Sequence, residues 1–570
     1  MDAHHPSQPP SAATIEAGQE ALARGAWEEA RSAFECALQT GDRDVANHSL
    51  RVVLDPEESA EILSGLAEAL WWLGEIRKSL DYWEQAYSGF RQRPDPAQAA
   101  FVAIQLGILY DANLGNRAAA AGWVARAARL VEEHELEPLR GWVLIAEASA
   151  AADPDQHEAL ARQAHQLGRI SGDRDLELCA LTEIGVALID QGRITEGMAF
   201  HDEAMAGALA GEGQLDTVVF AACQMMTSYS RCAQYERMTQ WIRAADRFVE
   251  RYGCPYLSAT CRTHYGEVLF ATGDWTRAEE ELHAALCLSE YSLPAVRAKA
   301  LARLAELRLA QGSVEEAERL MMGFEDQEAS APVFTRIHLV RGKFALAAST
   351  ARRWLGVTGE DRLESTLLLE LLGEAEISQS QVEAAAERGR TLAELGRSLD
   401  CQVMLARGER LQGQALVAAS DSVAKQHLEV ALREFTQLEM SFEAARTRLL
   451  LAQALRELDP EVAEAEARAA LAIFRRLGAV TDAKATTSVL REIETRTRKR
   501  IGKTPDLAGL TQREVEVLRL VAQGLSDKEI ATKLVLSRHT IHRHIHSILT
   551  KLDLPSRAAA AAYAARHDLL

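Results

Sequence analysis

The stretch SRHTIHRHIHSILTKL (537–552) holds four of the chain's 16 histidines, at His539, His542, His544 and His546. On a helix, His542 and His546 lie four apart and His539 precedes His542 by three, so three imidazoles share one face. Helix-borne zinc sites use such spacing. The neighbours argue against a metal. No carboxylate or cysteine stands among the histidines, and Arg543 occupies the place where a zinc protease carries its glutamate. A histidine general base would also lack a nucleophile or second acid. The chemistry left is recognition of an anion. Arg538, Arg543 and Lys551 are cationic, and imidazoles gain charge near pH 6.5. His544 also has a purely structural reading, as a hydrogen-bonding group between core and backbone.

A second candidate is G-K-T at 502–504, the end of a phosphate-binding P-loop pattern. The first glycine of that pattern would fall on Thr497, Pro505 stands where a helix must start, and no strand precedes it. The eight cysteines (36, 179, 223, 232, 254, 261, 287 and 401) form no CxxC pair and read as reduced, small apolar fillers. No metal, cofactor or enzymatic activity is therefore expected.

The elements that must position the histidine helix are short. Thr511 and Glu514 make a capping box for a first helix, whose face is Val515, Leu518 and Val521 or Ala522 and which Gly524 stops. Ser526 and Glu529 make a second box, with Ile530, Ala531 and Leu534 facing inward. Val535 and Leu536 form a tight turn, and Ser537 caps a third helix to about Leu552. Its Ile541, Ile545, Ile548 and Leu552 form an apolar stripe, leaving Arg538, His539, His542, Arg543 and His546 on the other side. A fourth helix begins at Ser556. Two short helices about a tight turn, the second long and basic, describe a helix-turn-helix.

The residues L-T-x-R-E-x-E-V-L (510–518), A-x-G-x-S-x-x-E-I-A (522–531), L-S-x-x-T-I-x-x-H-I-x-x-I-L-x-K-L (536–552) and S-R-x-x-A (556–560) resemble the LuxR-type DNA-binding domain. His544 stands where that family has histidine, whereas His542 replaces its usual lysine or arginine. The DNA-contacting residues expected are Ser526, Lys533, Ser537, Arg538, His539, Thr540, His542, Arg543, His546 and Lys551. Arg543 suits a base edge or phosphate, and Lys533 and Lys551 suit phosphates. Ser537 and Thr540 stand at a helix N-terminus that offers N–H groups to a phosphate, and Ser526 could touch the DNA backbone as well as cap its helix. The resemblance also implies pairing through the fourth helix, at Ala558, Ala562 and Tyr563.

The charge agrees with this division of labour. Residues 496–570 carry 14 Lys/Arg against 7 Asp/Glu, and the other 495 residues carry 49 against 76. A basic end attracts a polyanion that an acidic body repels.

That body is rich in alanine, leucine, glutamate and arginine, poor in alternating β-branched runs, and repetitive. Gly18, G-A-W-E-E-A (25–30), Phe34 and Ala37 recur as Gly266, G-D-W-T-R-A (273–278), Leu282 and Ala285. Partial copies contain Gly185, Gly192, Ile194 and Ala204, and G-S-V-E-E-A (312–317). Small residues where two helices approach, bulky ones between hairpins and a glycine in the turn resemble the tetratricopeptide repeat. The turns are mostly near 40 residues apart rather than that family's 34, so longer helices or inserted loops are expected. From 325 to 490 only helical periodicity supports the pattern. Such arrays curve into superhelices with a concave surface.

The expectation is an all-α chain: a tail (1–10), a tetratricopeptide-like superhelix (11–490), a basic linker (491–509) and a four-helix LuxR-type domain (510–570). The N-terminus has neither the basic segment nor the apolar core of a signal peptide, and no apolar stretch of about 18 residues suggests a membrane span. A cytoplasmic location follows. No ATPase domain and no β-rich receiver with a phospho-accepting aspartate is evident, so control by ATP or phosphorelay is not expected. The function expected is a transcriptional regulator that binds double-stranded promoter DNA as a homodimer and senses a protein or small-molecule effector through its repeats. The alternative is a repeat scaffold with a weakened DNA-binding module.

Overall fold

A computed structural model describes residues 10–43, 56–92, 95–290, 293–360, 362–502 and 509–566. The expected tail, Pro10 aside, lies outside these residues, as do positions 503–508 of the linker and with them Lys503 and Thr504 of G-K-T. The described elements are all helices, without a strand, as the composition requires. None of them is long and apolar enough to cross a membrane. The chain divides into two compact units, 1–487 and 488–570. The division falls inside one helix, Val480–Gly502.

The first unit is built from antiparallel helix pairs, beginning with Pro10–Ala23 and Trp27–Arg43 and continuing to Ser441–Leu455 and Pro460–Leu477. It is a tetratricopeptide-like helical repeat. Small-against-large packing draws each pair together. A Cβ placed on Gly18 or Gly65 would come within 2.7 or 2.3 Å of the Phe34 ring, so one phenylalanine fills the space between two glycine faces. Gly266 makes the same accommodation for Leu282. Helices of 17 or 18 residues, such as Arg174–Asp190 and Pro255–Thr272, account for the long repeat spacing.

The pairing continues beyond residue 325, where the motif fades. The turns there place Ser380 and Ser420 in the left-handed conformation that earlier turns give to glycine. The backbone shape is kept while its sequence signature is lost.

The turns also meet across the superhelix. The turn within an early hairpin abuts the start of a hairpin four to six further on. Trp27 Nε1 donates to the Tyr252 carbonyl (2.6 Å), Ala295 N to the Asn113 carbonyl (3.3 Å) and Ser441 Oγ to the Thr272 carbonyl (3.0 Å). Gly192, at φ +84°, lies so close to Leu399 that a Cβ would be 2.5 Å from its Cα. Arg117 pairs with Glu328 (2.8 Å) and Arg231 with Glu364 (3.3 Å) along the same seam. Successive superhelical turns are therefore joined edge to edge.

The first helices of four consecutive hairpins carry a buried ion network. Glu370 accepts from Arg407 (2.5 Å) and Arg410 (2.7 Å), and Glu374 from Arg336 and Arg446 (3.0 Å each). Burial opposes the charge of Glu443, but Arg410, Arg407 and Arg446 outweigh it and hold its carboxyl well below the usual range. Removing one member would leave an uncompensated buried charge. Five of the eight cysteines are buried.

Candidate nucleic-acid interface

The described C-terminal residues form four further helices: α1 (Gln512–Ala522), α2 (Asp527–Leu534), α3 (Arg538–Lys551) and α4 (Arg557–Arg566). Thr511 and Glu514, and Ser526 and Glu529, form capping boxes that fix the starts of α1 and α2. Ser537 Oγ accepts from Thr540 N (3.0 Å) and starts α3. Ile541, Ile545 and Ile548 are buried, and Leu552 packs partly against the same core as Val517, Leu518, Leu520, Val521, Ile530 and Ala560. Helix α1 buries Val517 and Leu520 beyond its predicted stripe, because α3 and α4 both pack on it.

Burial of the isoleucine stripe turns the other face of α3 outward. Arg538, His539, His542, Arg543 and His546 are all exposed, and His544 is half-buried. Lys533 is exposed on α2. His542 Nδ1 stands 3.7 Å from Asp527 at the start of α2, which Arg557 also engages. Among the described residues, no three His, Cys, Asp or Glu side chains are grouped so as to hold a metal ion.

Other residues on the expected list have their polar groups already occupied. Lys551 Nζ donates to Glu514 (2.7 Å) and so pins α3 to α1. The Ser526 hydroxyl donates to Glu529 (2.7 Å) and caps α2, which commits it to the fold. Thr540 Oγ1 is paired with the Ser537 hydroxyl (2.7 Å). On α4, Ala558 and Ala562 are exposed, whereas the Tyr563 ring packs partly against the domain core.

Glu514 does more than close its capping box. Its buried carboxylate also accepts from Ser547 Oγ (2.5 Å). Burial opposes the charge, but hydrogen bonds from Lys551, Ser547 and Thr511 prevail and lower its pKa to about 2. Two arginines that appeared only as motif letters also act as anchors. Arg513 donates to the Leu534 carbonyl at the end of α2 (2.9 Å), and Arg557 donates to the Leu525 carbonyl and Asp527 at its start. The signal for both was their fixed place in the motif, since neither lies on an apolar stripe.

Two helices about a tight turn, with a capped second helix whose basic face is exposed, define a helix-turn-helix DNA-binding domain. Residues 508–564 match the family model of bacterial regulatory proteins, luxR family. This C-terminal domain is a luxR-family DNA-binding domain, as its motifs implied. The chain is 46% identical over 61 residues to the transcriptional regulatory protein LiaR of Bacillus subtilis (strain 168), covering 11% of this chain and 29% of that protein. It is 38% identical over 80 residues to the response regulator protein VraR of Staphylococcus aureus (strain NCTC 8325 / PS 47), covering 14% and 38%. The chain thus matches well under half the length of either relative. A solved structure described as the APC/C hetero-tetramer Cut9-Hcn1 aligns over 84% of this chain and 96% of its own, with a TM-score of 0.41 and 13% identity.

Proposed function

We propose that the chain is a sequence-specific transcriptional regulator acting on promoter DNA in the cytoplasm. Helix α3 enters the major groove, with Arg543 at a base edge and Arg538, His539, His542 and His546 around it. Lys533 meets the phosphate backbone, and the free N–H groups at the start of α3 meet another phosphate. Two copies pair on DNA through α4, at the exposed Ala558 and Ala562. The repeats at 11–490 sense a protein or small-molecule effector, and the basic segment 491–509 links them to the DNA-binding domain.

The observation that carries this reading is the exposed basic face of α3 opposite the buried Ile541, Ile545 and Ile548. The test is a gel shift of the full chain against its own upstream region and against random duplex, across a salt titration. Saturable binding to one duplex at far higher affinity than to random DNA supports a regulator. Equal affinity for every duplex at each salt concentration refutes it and favours a repeat scaffold with a weakened DNA-binding module.

A further inference from the structure

The turn between α2 and α3 holds a residue that fits its place poorly. Val535 closes α2 with φ +53° and ψ +46°, the left-handed region. A β-branched side chain crowds the backbone there, and glycine or asparagine would not. The same residue is 90% exposed, the most exposed large apolar side chain among the described residues. The left-handed backbone ends α2, but the exposed valine side chain adds nothing to that cap. Leu536, its neighbour, packs against the core, and the Leu536 N–H donates to the Ala531 carbonyl (2.9 Å), so the turn is held without the valine side chain. An apolar group kept in a strained, solvated position suggests a contact made outside the domain.

The turn's location limits what that contact is. Val535 lies two residues before Ser537, which caps the N-terminus of α3. That end of a recognition helix approaches the base edges. The major groove offers one apolar group to such a side chain, the C5 methyl of thymine. We propose that Val535 is a specificity-determining residue that packs against a thymine methyl beside the bases read by α3. The proposal rests on the DNA-binding reading above and adds a contact from outside the histidine-rich helix.

The test uses the full chain and a selection from random duplex DNA. The wild type first yields its preferred duplex. Val535→Gly and Val535→Asn both suit the left-handed backbone, so neither should melt below the wild type. Each should bind the selected duplex about fivefold more weakly, as suits the loss of a methyl-sized apolar contact. Replacing one thymine of the duplex by uracil should weaken the wild type by a similar factor and leave Val535→Gly unchanged. Unaltered affinity in both variants overturns the proposal. So does a loss that no uracil substitution reproduces, or a change in oligomeric state with DNA binding intact. A wild-type chain that enriches no preferred duplex would instead refute the DNA-binding reading itself, and this proposal with it.

Discussion

Replacing Glu514 by glutamine removes one negative charge from the centre of the DNA-binding domain and keeps the side chain's size. In the folded chain this carboxylate accepts from Thr511 N (2.6 Å), Ser547 Oγ (2.5 Å) and Lys551 Nζ (2.7 Å). Its pKa falls from 4.5 to about 2. At about 1.4 kcal/mol per pH unit, the charged form gains about 3 kcal/mol relative to the neutral one. The Lys551 side chain is 34% exposed, and water screens its share, so about 2 kcal/mol is expected to be lost in Glu514→Gln. Hydrogen exchange of the full chain should show this as about thirtyfold faster opening of α1 and α3. The pH dependence has a definite sign. A carboxyl lowered in the folded state contributes fully above its unfolded value of 4.5, and the contribution is lost as pH falls toward about 2. Wild type should lose protection across that window, and Glu514→Gln should lack that part of the loss. Equal exchange in the two proteins, with the same response to acid, would refute the pinning role of Glu514.

Arg543→Ala should weaken binding to the preferred duplex by about tenfold or more without moving the unfolding transition, since its side chain is exposed; gel shifts and melting curves check the two halves. Gly192→Ala forces a Cβ to 2.5 Å from Leu399 Cα at φ +84°, whereas Gly172→Ala adds one in open space at φ +73°. The first should cost about 2 kcal/mol more than the second in denaturant unfolding, because only it disturbs the seam between superhelical turns. His201 is buried with both ring nitrogens unpartnered, and burial, reinforced by Arg231, lowers its pKa to about 3. Its unfolded form takes up a proton below about 6.5, so wild type should lose about 2 kcal/mol from pH 6.5 to 5 that His201→Leu keeps, a difference melting curves at both pH values would reveal.

The DNA-binding domain was legible because its determinants are local. Capping boxes span three residues, and the Ile541, Ile545 and Ile548 stripe follows the helical period. The first repeats were legible for a similar reason, since Gly18 and Phe34 are adjacent faces of one hairpin. Later repeats were legible only through helical periodicity where serine replaced glycine in the turn, because the tertiary packing tolerates a strained residue that the motif does not contain. The pairing of Lys551 with Glu514 was hidden for a different reason. The type and place of Lys551 on α3 suit a phosphate, and only the packing of α3 on α1 brings Glu514 beneath it.

By itself, then, the amino-acid sequence determined the helical class, the repeat pattern and the basic recognition helix, because each depends on side chains within one or two helical turns. Tertiary structure decided which cations are paired within the domain, which glycines allow one superhelical turn to touch the next, and which histidine is sealed with no hydrogen-bond partner. Those outcomes depend on groups tens to hundreds of residues apart, such as Glu514 with Lys551 and Gly192 with Leu399. Their meeting is set by the accumulated angles between packed helices, which no local spacing encodes.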